Sequence, residues 1–90
     1  VSRETSLEMS RGIRERTGAG IGVSVTGIAG PLGGSPEKPV GTVWIGIAQA
    51  DGEEARLFRF HGDRERIILG TSQAALHWLR TTLLSKATEL

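Results

Sequence analysis

The feature that most constrains this chain is the glycine and proline spacing through its middle: residues 22–48 hold seven glycines and three prolines, and five of those glycines and all the prolines separate two short apolar segments. In the first segment Ile21, Val23 and Val25 alternate with Gly22, Ser24 and Thr26. A period of two predicts a strand, and the small intervening residues predict a second face closely overlain by another element. Thr42 to Ala48 alternates again, with Val43, Ile45 and Ile47 on one face and Trp44, Gly46 and Ala48 on the other. Both faces are apolar, as in a central strand covered on each side. Asp51-Gly52 reads as a hairpin turn, so a third strand, about Ala55 to His61, is expected antiparallel beside the second. Arg56 and Arg59 give that strand the charge of a sheet edge.

A helix is predicted on either side of these strands. The first runs from about Arg3 to Arg16, with Ser2 as N-cap, Glu4 in the first turn and Arg14 and Arg16 at the C-terminal end, where their charges suit the helix dipole. Its apolar residues, Leu7, Met9 and Ile13, are expected to cover one sheet face as a narrow stripe, and Gly18 and Gly20 end it. The second helix starts at the N-cap Asp63 and places Ile67, Thr71, Ala74, Ala75, Trp78 and Leu79 on one core-facing stripe. Arg64, Glu65, Gln73, His77 and Arg80 occupy its other face, and the weakly apolar residues 85–90 are expected to fray. The fold class is therefore α/β, three-layer α/β/α with a mixed sheet. This chain gives helix-strand-strand-strand-helix, with the middle strand antiparallel to both neighbours and any further strands placed beside the first, beyond Val25.

Ninety residues with 11 basic and 10 acidic side chains give a net charge of +1, which argues against bulk electrostatic binding to nucleic acid or anionic membrane. A chain of this length buries only about three-fifths to two-thirds of its unfolded surface, so stability borrowed from a partner is expected. There is no cysteine and hence no disulfide framework. No segment approaches a membrane span or a signal-peptide core, so a cytoplasmic location is the expectation.

The loop from Thr26 to Thr42 is the expected site. Gly27, Gly30, Gly33, Gly34 and Gly41 open backbone conformations closed to other residues, and Pro31, Pro36 and Pro39 stiffen the path. Thr26, Ser35, Thr42 and Lys38 add hydroxyls and one cation, so the segment offers donors to an anion or a polarised carbonyl. It is neither a P-loop, since Lys38 stands between Glu37 and Pro39, nor a dinucleotide G-x-G-x-x-G. A structural turn would also use Gly and Pro, but binding residues gather where such strands end.

Thr26-Gly27-Ile28-Ala29-Gly30-Pro31, followed by the stretch from Gly33 to Val43, resembles the signature of the CinA C-terminal-domain family, the nicotinamide mononucleotide deamidases. Val1-Ser2 ahead of a helix and Phe60-His61-Gly62-Asp63-Arg64 entering the last helix resemble the same family in the same order. The resemblance covers essentially the whole chain, residues 1–90, as the C-terminal part of a single CinA-like domain. It implies an amidohydrolase that converts nicotinamide mononucleotide to nicotinic acid mononucleotide and ammonia, in pyridine-nucleotide salvage. Family members carry a Ser-Cys-Thr-Gly-Gly-like segment and a Ser/Tyr/Lys-bearing segment in an N-terminal portion that these residues do not contain. The catalytic nucleophile and base are expected there, and the isolated ninety residues are expected to release no ammonia.

By this resemblance the chain supplies substrate-binding groups: the Thr26 hydroxyl, the Gly27 and Gly30 backbone N–H groups, and the Arg64 charge on phosphate or carboxamide, with Arg66 as the neighbouring alternative. No metal or organic cofactor is implied. The expected partners are the nucleotide substrate, the N-terminal part of the domain and a second copy in a homodimer. Two other readings stand beside the amidase, a non-catalytic nucleotide-binding module and a structural or assembly module of the competence/damage-inducible type. His61 and His77 lack the company a metal needs, and Ser10, Ser24 and Ser72 have no base beside them. Trp44 and Trp78 read as core rather than as stacking platforms.

Overall fold

The computed structural model describes residues 2–27 and 41–88, with side chains through residue 85. Its elements are α1 (Arg3–Thr17), β1 (Ile21–Gly27), β2 (Thr42–Gln49), β3 (Gly52–Arg59) and α2 (Arg64–Thr88). The sheet order is β1-β2-β3, with β2 antiparallel to both neighbours, as the alternation predicts. The N-caps are those the sequence predicts. Ser2 Oγ accepts from the Thr5 amide at 3.1 Å, and Asp63 Oδ1 accepts from the Arg66 amide at 2.9 Å. Gly18 ends α1 in the left-handed conformation, φ 70°.

Alternation along the ladder sorts side chains into two layers. Ile21, Val23, Val25 and Gly27 share a face with Gln49, Ile47, Ile45 and Val43, their partners on β2. This face packs on α2. Its core is Val43, Ile45, Ile47, Ile67 and Trp78, with Phe58, Phe60, Ala74 and Ala75 against it. The Arg56 guanidinium lies over the Trp78 ring, 4.3 Å from its centroid, so this edge-strand arginine also closes the core.

The opposite face carries Gly22, Ser24, Gly46 and Ala48 and packs on α1, but not through the stripe expected for that helix. The buried residues of α1 are Ser6 and Ser10, whereas Met9 and Ile13 are exposed. The strand glycines explain the difference. A Cβ on Gly46 would stand 2.6 Å from Ser6 Oγ and 2.7 Å from Ser6 O, and one on Gly22 would stand 2.2 Å from Ser10 O. The helix backbone sits so close to the sheet that only small side chains fit between them. The serine hydroxyls in this layer are bonded: Ser24 Oγ donates to Ser6 O at 2.7 Å, and Ser10 Oγ lies 3.1 Å from both Ser6 O and Leu7 O.

Three boundaries also differ. The two-residue turn is Ala50-Asp51, and Gly52, φ 155°, already pairs with Gln49, because matching Ala48 to Glu53 closes the hairpin one residue early. β3 ends at Arg59, short of His61, where the chain must turn into α2 through Gly62, φ 112°. The α2 backbone stays helical to Thr88, past the expected fraying point, since no glycine or proline interrupts it after Gly70.

Candidate functional site

Because β2 is antiparallel to both neighbours, β1 ends, β2 begins and β3 ends at one end of the sheet. Both helices point their N-termini towards it. On α1, Ser6 lies over Gly46 and Ser24 while Ser10 lies over Gly22, so the helix runs away from the end that bears Thr26. On α2, Ile67 and Ile68 share a cleft with Gly27 and Val43, while Trp78 lies farther along, beside Ile47 and Arg56. Two positive helix ends therefore face the end of the sheet from which residues 28–40 depart, a setting that favours an anionic ligand.

Thr26 is the next-to-last residue of β1, on the α1 side of the sheet and opposite Trp44. Its Oγ1 is buried and has no hydrogen-bond partner. Ser24, two residues earlier on the same face, is fully bonded, so the lone hydroxyl belongs to the residue nearest the loop. Gly27 faces the other layer. A Cβ there would stand 2.8 Å from Val43 Cγ2 and 3.1 Å from Thr42 O, so β1 can end against β2 in this way only with glycine. Gly30 lies outside the described residues, as do Gly33, Gly34, Ser35 and Lys38. Arg64 is the first residue of α2, at the same end of the molecule as Thr26 and Gly27 but reached from the α2 layer. Arg66, the alternative, lays its aliphatic stem over Gly62, whose Cβ would come within 2.9 Å of Arg66 Cδ.

Three further residues shape this end: Gly41 and Thr42, which the sequence reading placed in the site loop, and Arg59, which it read as a sheet-edge charge. Gly41, φ 92°, accepts from the Phe60 amide at 2.9 Å, and a Cβ on it would stand 2.1 Å from Phe60 O. Thr42 is buried on the face that carries Thr26, and Arg59 Nη1 approaches its Oγ1 at 3.5 Å. Counting by two from Thr26 across the register places Thr42 and Arg59 on that face, which is the signal that finds them. A cleft of about 540 Å³ opens on the other side, lined by Val25, Gly27, Val43, Ile67, Thr71 and Ala75 among others. It is apolar and suits a ring or a hydrophobic segment better than a charge.

His61, in the connection between β3 and α2, and His77, on α2, are both exposed. Among the described residues no group of His, Cys, Asp or Glu could hold a metal ion, and no helix is long and apolar enough to cross a membrane. Glu53 hydrogen-bonds the Arg11 guanidinium and holds its pKa above the ordinary arginine value. That pair joins α1 to β3 on the surface, at the far end from Thr26.

The chain is an α/β layer protein, a helix, three antiparallel strands and a second helix, with both helix N-termini at the end of the sheet where β1 finishes. The model of the CinA C-terminal domain matches residues 1–83, and the chain belongs to that family. It is 55% identical over 86 residues to a CinA-like protein of Geotalea daltonii, an alignment covering 96% of this chain and 21% of that protein. A putative competence-damage inducible protein of Halothermothrix orenii is 51% identical over 80 residues, covering 88% of this chain and 19% of that one. Among solved structures, the competence/damage inducible protein CihA from Agrobacterium tumefaciens superposes with a TM-score of 0.85 at 42% identity, over 90% of this chain and 50% of that one. A CinA superfamily protein from Klebsiella pneumoniae gives 0.87 at 35% identity, over 94% and 53%. The chain thus spans about a fifth of the length of these curated relatives and about half of the solved ones.

Proposed function

We propose that this chain is the substrate-binding part of an amidohydrolase that converts nicotinamide mononucleotide to nicotinic acid mononucleotide and ammonia. In that reaction water adds across the carboxamide, the C–N bond breaks, and the nitrogen leaves with a proton as ammonia. A nucleophile, a proton carrier and donors to the developing oxyanion are needed. The described serines with buried hydroxyls, Ser6, Ser10 and Ser24, bond to main chain or to each other and not to a base. The nucleophile and base are assigned, as the family resemblance implies, to the N-terminal part of the CinA domain. Thr26, the Gly27 and Gly30 amides and Arg64 supply donors and charge, and the two helix N-termini favour the phosphate.

The observation that carries this reading is the Thr26 hydroxyl, buried and without a partner at the strand end that opens the loop. Leaving such a group unbonded costs about 1–3 kcal/mol, which a purely structural residue would avoid by being valine. The test is Thr26→Val in the intact domain. Loss of one oriented donor lowers kcat by about a hundredfold, while the same change raises stability by about 1 kcal/mol because the orphan hydroxyl is gone. Arg64→Ala instead raises KM more than it lowers kcat, since a phosphate contact acts already in the bound ground state. A Thr26→Val enzyme with wild-type kcat refutes the assignment. The absence of a nucleophile and base pair among the described residues favours, as a second reading, a nucleotide-binding module without turnover. An intact domain that binds the mononucleotide but releases no ammonia identifies it.

A further inference from the structure

Arg59 has no part in the functional reading, yet it stands on the face of the sheet that carries Thr26. The register pairs Thr42 with Arg59, and Trp44 with both Thr26 and Leu57, so these residues form two adjacent rows on the α1 side. Thr42 is the diagonal neighbour of Thr26, about 7–8 Å away, a separation that a long side chain spans. Arg59 uses that reach. From the outer strand β3 its Nη1 comes to 3.5 Å from the Thr42 Oγ1 on the central strand, and so towards the buried, unpartnered Thr26 Oγ1.

The other arginine of β3 is engaged elsewhere: Arg56, on the opposite face, pairs with Glu54 and covers Trp78. Among the described residues the ion pairs are Arg11 with Glu53 and Arg56 with Glu54, and Arg59 belongs to neither. A guanidinium held near an unbonded hydroxyl, on the face that bears the positive end of α1, suits a ligand group that carries or develops negative charge. Trp44, half-buried, and Leu57, 43% exposed, continue the row of Thr26 and give an apolar floor that fits an aromatic ring. Arg64 reaches this end of the sheet from the α2 layer. The two arginines thus approach from opposite faces, which suits them to opposite ends of one ligand.

We propose that Arg59 is a further ligand-contacting residue of the Thr26 site, where its guanidinium meets the carboxyl end of the mononucleotide and stabilises negative charge on that oxygen, while Arg64 meets the phosphate. This deepens the amidase reading and rests on it for the identity of the ligand. It also assigns a preference: the site holds a carboxylate at this position more tightly than the neutral carboxamide.

The test is calorimetric titration of the intact domain with nicotinamide mononucleotide and with nicotinic acid mononucleotide, which share a phosphate and differ only at the carboxyl end. Arg59→Gln, checked by circular dichroism, is expected to weaken the carboxylate form by about tenfold or more and the carboxamide form by less than about threefold, because only the first loses a charge-assisted bond in the ground state. Arg64→Ala weakens both alike. Arg56→Gln, on the same strand but the opposite face, changes neither. In turnover Arg59→Gln lowers kcat by about tenfold or more with little change in KM, and Arg59→Lys, which keeps the charge, recovers part of both losses. An Arg59→Gln domain that keeps both wild-type affinities, or loses both equally, overturns the proposal, as does a wild-type domain that binds neither mononucleotide. Binding is read without turnover, so a domain that shows the split but releases no ammonia refutes the amidase reading and leaves the role of Arg59 intact.

Discussion

Gly46→Ala in the intact domain tests the close approach of α1 to the sheet. The added Cβ would stand 2.6 Å from Ser6 Oγ, 2.7 Å from Ser6 O and 2.9 Å from Ser24 Oγ, so α1 must lift from β2 or the serines must turn. Overpacking of this kind costs about 1–3 kcal/mol. If the lift also breaks the 2.7 Å bond from Ser24 Oγ to Ser6 O, a buried hydroxyl loses its partner at a further cost of about 1–3 kcal/mol. Against this, alanine restricts the unfolded chain and returns about 0.4–1 kcal/mol. The net expectation is destabilisation by about 2–4 kcal/mol. Urea unfolding followed by Trp44 and Trp78 fluorescence measures it, with an unchanged slope confirming that stability alone has moved. Gly12→Ala is the control. That glycine lies in the same helix with nothing within 4 Å of its Cβ position, so the substitution should stabilise by about 0.5–1 kcal/mol. A Gly46→Ala protein within 0.5 kcal/mol of wild type, taken as roughly the scatter of a surface substitution, would refute the reasoning.

Asp63→Ala removes the acceptor for the Arg66 amide and should cost about 1 kcal/mol by urea unfolding, with Asp63→Asn recovering most of it. Arg56→Ala uncovers Trp78 and should lower stability by about 0.5–1 kcal/mol with a red-shifted emission, since the pair is exposed on the arginine side. Ser24→Ala should cost about 1 kcal/mol, whereas Ser6→Ala should be nearly neutral, because the Ser6 group that accepts from Ser24 is its backbone carbonyl. Equal losses in the two serine variants would show that the hydroxyl pair, and not the carbonyl contact, ties α1 to β1.

The strands, their order and both N-caps were legible because each rests on local chemistry: alternation at Ile21–Thr26 and Thr42–Ala48, and short acceptors at Ser2 and Asp63. The packing face of α1 was not, because the usual expectation assigns Met9 and Ile13 to the core. The contrary signal lay in two places at once, serines four apart on the helix and glycines at Gly22 and Gly46 on neighbouring strands, and it acquires meaning only when the register sets them face to face. The hairpin closes at Ala50-Asp51 for a similar reason, since pairing of Ala48 with Glu53 outweighs the local preference of Asp51-Gly52. Thr26 and Thr42 stood out as hydroxyls at the two ends of the loop, but the lack of a partner at Thr26 depends on what the fold places around it, and Arg59 joins them only through the ladder.

The two layers hold the sheet by different means, and that difference bears on the site. The α2 layer is apolar, and its residues Ile67, Thr71, Ala75 and Leu76 leave a cleft beside β1, so its contacts can adjust when a partner or ligand enters. The α1 layer leaves no such room: glycine on the strands and bonded serines on the helix fix the helix-to-sheet distance to within a methyl group. Thr26 sits on the α1 side, two residues beyond Ser24, so its hydroxyl belongs to the stiffer layer. An oriented donor contributes to a transition state only when it need not reorganise, and a backbone held on one face by Ser24 and at its end by the Gly27 contact with Val43 meets that requirement. The compliant layer faces the apolar cleft, and the rigid one carries the donor.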